Sequence, residues 1–334
     1  MHVTVVGAGS WGTTVAALAA ANTPTTLWAR RPELAGSIGE TGENADYLPG
    51  FPLPGNLTCT SDLEQAVSRA EVLVMGVPSH GFREVLRQAA PFVRSGVPVL
   101  SLTKGIEQGS LTRMTEIIIE ELDAAPQRVG VLTGPNLARE VVAGQPTATV
   151  IAVEDAWEGE RLQKVFMSPT FRVYTNPDVV GCEAAGALKN VMAVAAGMAH
   201  GLGYGDNSMA TLITRGLAEL TRLGMTMGGN PMTFAGLAGM GDLIATCISD
   251  KSRNRTVGVA LGEGRSLSEI TSEMNMVAEG VKTTEAVLAL AAAAGVEMPI
   301  ARMVGAVLYE GQKPQDIVER LMGRPARAEL HGFE

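Results

Sequence analysis

One lysine stands in the middle of an apolar helical pattern. Lys189 lies in Glu183-Ala-Ala-Gly-Ala-Leu-Lys-Asn-Val-Met-Ala-Val-Ala-Ala-Gly, with Asn190 beside it. A charge there is costly unless it faces a cleft or a partner. Gly186 and Gly197 on the same pattern would let neighbouring elements come close. Desolvation lowers a lysine's pKa toward the range useful for proton transfer. Lys189 reads as a general acid/base with Asn190 orienting substrate, or else as a snorkelling surface lysine. Asp242, after the Gly239-Met-Gly turn, reads as a helix N-cap or as a hydrogen-bond acceptor in the same cleft. Asp250-Lys-Ser-Arg-Asn-Arg255 is the densest cluster of hydroxyl, amide and guanidinium groups. It opens a helical pattern, so Ser252, Arg253 and Asn254 with free helix N–H groups would hold a phosphate. The alternative is a solvated charged turn.

A third stretch, Val3-Thr-Val-Val-Gly-Ala-Gly-Ser-Trp-Gly12, carries G-x-G-x-x-G. β-favouring residues precede it, and an Ala-rich helical pattern follows from Thr13 to about Asn22. That order is the context a dinucleotide fingerprint requires. Gly7 allows the tight turn, Gly9 leaves the backbone open to a pyrophosphate, and Gly12 lets the helix pack on the sheet. The alternative is an ordinary βα turn. The place where an acidic residue would bind a ribose 2′-hydroxyl holds Arg30 and Arg31. An arginine pair suits a 2′-phosphate and so NADP; otherwise it is a solvated helix start with NAD bound without the acidic contact.

These residues need elements to position them. Apolar runs at Val72–Val77, Val97–Leu102 and Arg128–Thr133, with Thr25–Ala29 and Thr147–Val153, alternate with helical patterns. They predict a doubly wound parallel sheet of Rossmann type over residues 1–177. Asn44 to Asn56, rich in proline and glycine, predicts a loop over one face of the sheet. From about Asp178 no clear strand appears, and residues 178–334 predict an all-helical domain. The boundary between them reads as a cleft, where ligand sites are common.

Composition narrows the function. The net charge of −9 argues against nucleic acid and anionic membranes as partners. Cys59, Cys182 and Cys247 are scattered, which fits a reducing cytoplasm without disulfides or structural zinc. No signal peptide is visible, and no uninterrupted apolar run reaches membrane-spanning length. His2, His80, His200 and His331 have no metal-ligand spacing, and no G-x-S-x-G or P-loop is present.

Taken in order, the motifs resemble bacterial NAD(P)-dependent glycerol-3-phosphate dehydrogenase over nearly the whole chain. The likeness rests on residues 7–12, Val-Pro-Ser-His (77–80), Thr-Lys-Gly-Ile-Glu (103–107) and Thr-Gly-Pro-Asn-Leu-Ala-Arg-Glu (133–140). It continues in Ala-Leu-Lys-Asn-Val-Met-Ala (187–193), residues 205–216, Gly-Leu-Ala-Gly-Met-Gly-Asp-Leu (236–243), Ser-Arg-Asn-Arg (252–255) and Val-Ala-Glu-Gly (277–280). The resemblance implies interconversion of dihydroxyacetone phosphate and sn-glycerol 3-phosphate with NADPH/NADP, NADH/NAD being possible, in support of phospholipid synthesis. It implies Lys189 as proton acceptor. It places Lys104, Gly134, Asn136, Asp242, Ser252, Arg253 and Asn254 at substrate positions. Ser10, Trp11, Arg30, Arg31, Lys104, Ala138, Arg253, Val277 and Glu279 map to cofactor contacts, with Gly7, Gly9 and Gly12. The family also suggests a cytoplasmic homodimer without stable membrane insertion. Position 136 departs from the usual Ser or Thr, and Val-Ala-Glu-Gly from Val-Val-Glu-Gly. Two rivals are a β-hydroxyacid or 6-phosphogluconate-type dehydrogenase and a non-catalytic NADPH-binding sensor.

Overall fold

The valine-rich runs of the first half become the strands of one sheet. The computed structural model describes residues 1–274, 278–326 and 328–329. The strands are β1 (Val3–Val6), β2 (Thr25–Trp28), β3 (Leu57–Thr60), β4 (Val72–Met75), β5 (Val99–Ser101), β6 (Val129–Thr133), β7 (Thr147–Ala152) and β8 (Phe171–Asn176). Their order is β3-β2-β1-β4-β5-β6-β7-β8. Alternate residues of β4 serve opposite faces: Val72 and Val74 join one apolar cluster, Leu73 and Met75 the other. Both faces are covered by helices, so the central strands are buried along their length. The strand order reverses between β1 and β4, which is where open α/β sheets bind ligands.

Two sequence expectations change. The sheet is not parallel throughout: β7 runs antiparallel to β6, and β8 is parallel to β7. Between β6 and β7 lies only the five-residue helix Ala138–Val142, whereas a parallel crossover needs enough helix to return the chain along the sheet. Second, the first helix spans Ser10–Ala20, starting three residues before Thr13, with Gly9 as its N-cap. Ser10, Trp11 and Gly12 therefore form its first turn, whose N–H groups have no intrahelical partner.

The chain divides into two units: Met1–Glu107 with Thr112–Val179, and Gln108–Leu111 with Val180 onward. Among the described residues of the second unit there is no strand. Its long helix, Val179–Gly201, and the stretch Pro231–Ile248 have the length and mean hydropathy of a membrane span, which counting uninterrupted apolar runs does not detect. For Val179–Gly201, 94% of the apolar window is buried within the protein, as in a core helix. Gly197 and Gly201 lie against Gly258 and Gly262 of the helix Arg253–Gly262, backbone to backbone.

Glu219, on the helix Asp206–Thr226, accepts N–H bonds from Ile300 at 2.8 Å and Ala301 at 3.3 Å. It thereby caps the helix Pro299–Glu310. Burial pushes its carboxyl up to about 7, against the opposing pull of those N–H groups and of Arg222 and Arg324. The folded pKa lies above the unfolded one, so this group favours the fold fully below about pH 4.5. That contribution is lost as pH rises through about 7. Over this window wild type is expected to lose up to about 3 kcal/mol relative to Glu219→Gln. Urea denaturation of both proteins from pH 4.5 to 8 checks it; a constant difference would refute it.

Candidate active site

Lys189 and Asp242 are joined inside the helical unit. The lysine Nζ lies 3.0 Å from Asp242 Oδ1, and the side chains are 5% and 3% exposed. That burial excludes the surface-lysine alternative. Nζ also donates to Thr246 Oγ1, whose own hydroxyl donates to the Asp242 carbonyl oxygen at 2.6 Å. Asp242 and Thr246 share the helix Asp242–Ile248 one turn apart, so both face the ammonium. A π-helical turn, Leu237–Gly241, delivers this helix, closed by the Gly241 N–H bond to the Gly236 carbonyl at 3.1 Å. Such wide turns often mark functional positions. Gly241 is the N-cap, so Asp242 is the acceptor rather than the cap. Thr246 belongs to no motif, and its i,i+4 spacing from Asp242 is the one sequence signal that marks it.

The Ser252–Arg255 cluster opens the helix Arg253–Gly262, as its pattern predicted. Ser252 caps that helix, its hydroxyl accepting from the Arg255 N–H at 3.3 Å. Asn254 turns inward. Its amide donates to Asn190 Oδ1 at 2.9 Å and accepts the Gly280 N–H at 2.9 Å. Gly280 is needed there, since a Cβ would meet the Asn190 carbonyl oxygen at 2.7 Å. Asn190, one residue from Lys189, is thus tied to the Ser252–Arg255 cluster. The Arg253 side chain is exposed. Protein packed around its guanidinium still lowers the pKa, while Glu279 opposes the shift.

In the sheet unit the glycine turn takes its expected shape. Gly7 has φ +120°, and a Cβ there would strike the Gly76 carbonyl oxygen at 2.6 Å. A Cβ on Gly12 would lie 2.0 Å from the Gly7 carbonyl oxygen, while one on Gly9 would point into open space. The open position above Gly9 and the uncapped first turn beside it fit a dinucleotide pyrophosphate. A loop residue steadies the turn. Asn44, fully buried, donates to the Ala8 carbonyl at 2.9 Å and to Thr13 Oγ1 at 2.8 Å. Its Oδ1 accepts the Tyr47 N–H at 3.3 Å, a local turn contact, but the two groups it donates to are more than 30 residues away, so spacing along the chain does not reveal its role at the glycine turn. Ser10 donates to the Tyr47 carbonyl at 2.7 Å. The Trp11 ring lies 6.4 Å from that of Phe171, and its indole N–H is buried with no hydrogen-bond partner among the described residues. Arg30 is exposed, whereas Arg31 donates to Asp46 at 2.5 Å and stacks 5.8 Å from the Tyr47 ring centroid.

Lys104 follows β5, and its Nζ donates to the Gly134 carbonyl at 3.0 Å. Gly134 has φ +136°. Asn136 donates to Thr149 Oγ1 at 3.0 Å, and Thr149 donates to the Thr133 carbonyl at 2.8 Å. The single Thr149 proton is spent on Thr133, so toward Asn136 this hydroxyl only accepts. Asn136 Oδ1 is buried without a hydrogen-bond partner among the described residues. Ala138 opens the short helix after it.

The N-terminal model of NAD-dependent glycerol-3-phosphate dehydrogenase matches residues 2–158, and the C-terminal model matches residues 178–319. The chain belongs to the NAD-dependent glycerol-3-phosphate dehydrogenase family. A glycerol-3-phosphate dehydrogenase [NAD(P)+] of Sphingopyxis alaskensis is 54% identical over 99% of both chains. One from Moorella thermoacetica is 50% identical over 98% of this chain and 97% of its own. The crystal structure of glycerol-3-phosphate dehydrogenase from Coxiella burnetii superposes with a TM-score of 0.92 at 37% identity, over 97% of this chain and 99% of that one.

Within this glycerol-3-phosphate dehydrogenase frame, Lys189, Asp242 and Asn190–Asn254 gather in the helical unit. Lys104, Gly134 and Asn136 gather in the sheet unit. Glu279 is the first residue of the helix Glu279–Ala294, and Val277 lies outside the described residues. A groove of about 940 Å³ in the helical unit is lined by Arg215, Glu219 and Ile300 and, among the described residues, by none of these site residues.

Proposed function

We propose that the chain catalyses the reversible, NAD(P)-dependent interconversion of dihydroxyacetone phosphate and sn-glycerol 3-phosphate. The observation that carries this reading is the buried Lys189 ammonium held by Asp242 at 3.0 Å. Gly7, Gly9, Gly12, Ser10 and Trp11 would hold the dinucleotide, with Arg30, Arg31, Lys104, Ala138, Arg253, Val277 and Glu279 completing its contacts. When bound, the nicotinamide supplies or accepts the hydride. Lys189 protonates the carbonyl oxygen as it is reduced, and in the other direction accepts the hydroxyl proton. Asp242 balances the charge of the ammonium, and with Thr246 it fixes where its protons point. Lys104, Gly134 and Asn136 orient the substrate, and Ser252, Arg253 and Asn254 hold its phosphate. Residues 1–177 form the NAD(P)-binding domain, which also lends Lys104, Gly134 and Asn136 to the substrate, and residues 178–334 the helical substrate-binding and catalytic domain, which lends Arg253, Val277 and Glu279 to the cofactor. The working form is a cytoplasmic homodimer.

Initial rates with dihydroxyacetone phosphate, using NADPH and NADH side by side, test the reading. Turnover with this substrate and none with carboxylated hydroxy acids is expected; the reverse would favour a β-hydroxyacid dehydrogenase. No turnover at all would favour the sensor. Arg253→Ala is expected to raise KM for the phosphorylated substrate about 10- to 100-fold, the worth of one lost charged hydrogen bond. An unchanged KM would place the phosphate elsewhere.

A further inference from the structure

The Lys104 segment contains a second charged residue that the proposed reaction leaves unused. Glu107 forms a two-point ion pair with Arg83, Nε to Oε1 and Nη2 to Oε2, both at 2.8 Å. Arg83 sits on the helix Ser79–Ala89. Its Nη1 also reaches Glu120 at 2.8 Å and Glu121 at 2.5 Å on the helix Met114–Leu122. Glu121 accepts in turn from Arg87 at 2.8 Å. An isolated surface ion pair contributes little. Here the Arg83, Glu107 and Glu121 side chains are only 20%, 21% and 13% exposed. A planar guanidinium gripping a carboxylate at two points also fixes orientation, which a point charge does not.

The chain held by this grip is the one that carries Lys104. Residues 102–105 have no regular secondary structure; the Leu102 N–H bonds the Met75 carbonyl at 2.9 Å, and side chains add to the anchoring on either side of Lys104. At the near end, Thr103 Oγ1 donates to the Val77 carbonyl at 2.6 Å. At the far end, the Glu107 N–H bonds the Thr112 carbonyl at 3.0 Å, and Arg83 holds the Glu107 carboxylate. Lys104 lies between the two anchors, with Nζ on Gly134.

We propose that Arg83 is a positioning residue for Lys104, acting through Glu107. This rests on the role given to Lys104 above. The test is a double-mutant cycle of Arg83→Gln and Lys104→Met, reading kcat, KM and urea stability. Arg83→Gln is expected to lower kcat/KM about tenfold, as small misplacements of a substrate-orienting group do. In the Lys104→Met background it is expected to cost nothing further. Arg83→Lys keeps the charge without the fork and is expected not to rescue. Additive losses in the cycle would overturn the proposal, as would full rescue by lysine. Were Arg83→Gln too unstable, Glu107→Gln breaks the same pair while leaving Arg83 its bonds to Glu120 and Glu121, and the same non-additivity must appear. If Lys104→Met alone leaves all rates unchanged, the role of Lys104 itself falls, and the proposal with it.

Discussion

Replacing Lys189 by alanine is expected to lower kcat by about 1,000-fold or more, the range general acid/base catalysis supplies. NADPH binding is expected to survive, because the glycine turn belongs to the sheet unit. The single variant is a poor test on its own. Removing one partner of a buried ion pair strands the other charge, and Asp242 is 2% exposed; such a loss costs roughly 3–5 kcal/mol. The variant would then lose turnover partly by unfolding. Lys189→Met combined with Asp242→Asn removes both charges at similar volume, so most of that stability is expected to return. Turnover is not, since the group that moves the proton is gone. Urea denaturation, NADPH fluorescence and steady-state rates on both variants separate the two effects. Near-normal turnover in either would remove Lys189 from the chemistry.

What the sequence makes legible follows from local signals. A charged residue inside an Ala/Gly helix, a glycine triplet between strand and helix, and polar side chains at a helix start each point to their chemistry within about a dozen residues. The groups that hold them in place are less visible. Asn44 reaches Ala8 and Thr13 across the sheet unit, and Asn190 meets Asn254 from 64 residues away. Such contacts are set by packing, which spacing along the chain does not encode. The antiparallel turn at β7 escapes for a related reason. Its strands are as apolar as parallel ones, and only the shortness of the Ala138–Val142 helix betrays the reversal. The early start of the first helix escapes because glycine, serine and tryptophan are modest helix formers. The start is set instead by the backbone: Gly9 is extended (φ −74°, ψ 176°), and its carbonyl accepts the Thr13 N–H at 2.9 Å, the first bond of the helix.

Gly258→Ala is expected to destabilise the protein by about 3 kcal/mol, the upper part of the usual range for overpacking. A Cβ at Gly258 would lie 2.1 Å from the Val194 carbonyl oxygen and 2.9 Å from the Gly197 Cα. Both obstacles are backbone, so no rotamer change relieves them, and the helices Val179–Gly201 and Arg253–Gly262 must part. The crossing has consequences at the site. The first helix carries Lys189 and Asn190, the second carries Arg253 and Asn254, and the Asn254–Asn190 bond of 2.9 Å spans them. Parting the helices is expected to weaken that bond and raise KM for the phosphorylated substrate as well as lower the unfolding midpoint. Gly39→Ala is the control. It lies in the helix Pro32–Thr41 with nothing within 4 Å of the added methyl. Alanine is expected to stabilise there by about 0.5–1 kcal/mol, through the restricted unfolded chain. If both substitutions shift the urea midpoint the same way, the backbone contact at Gly258 is not what holds the two helices in register.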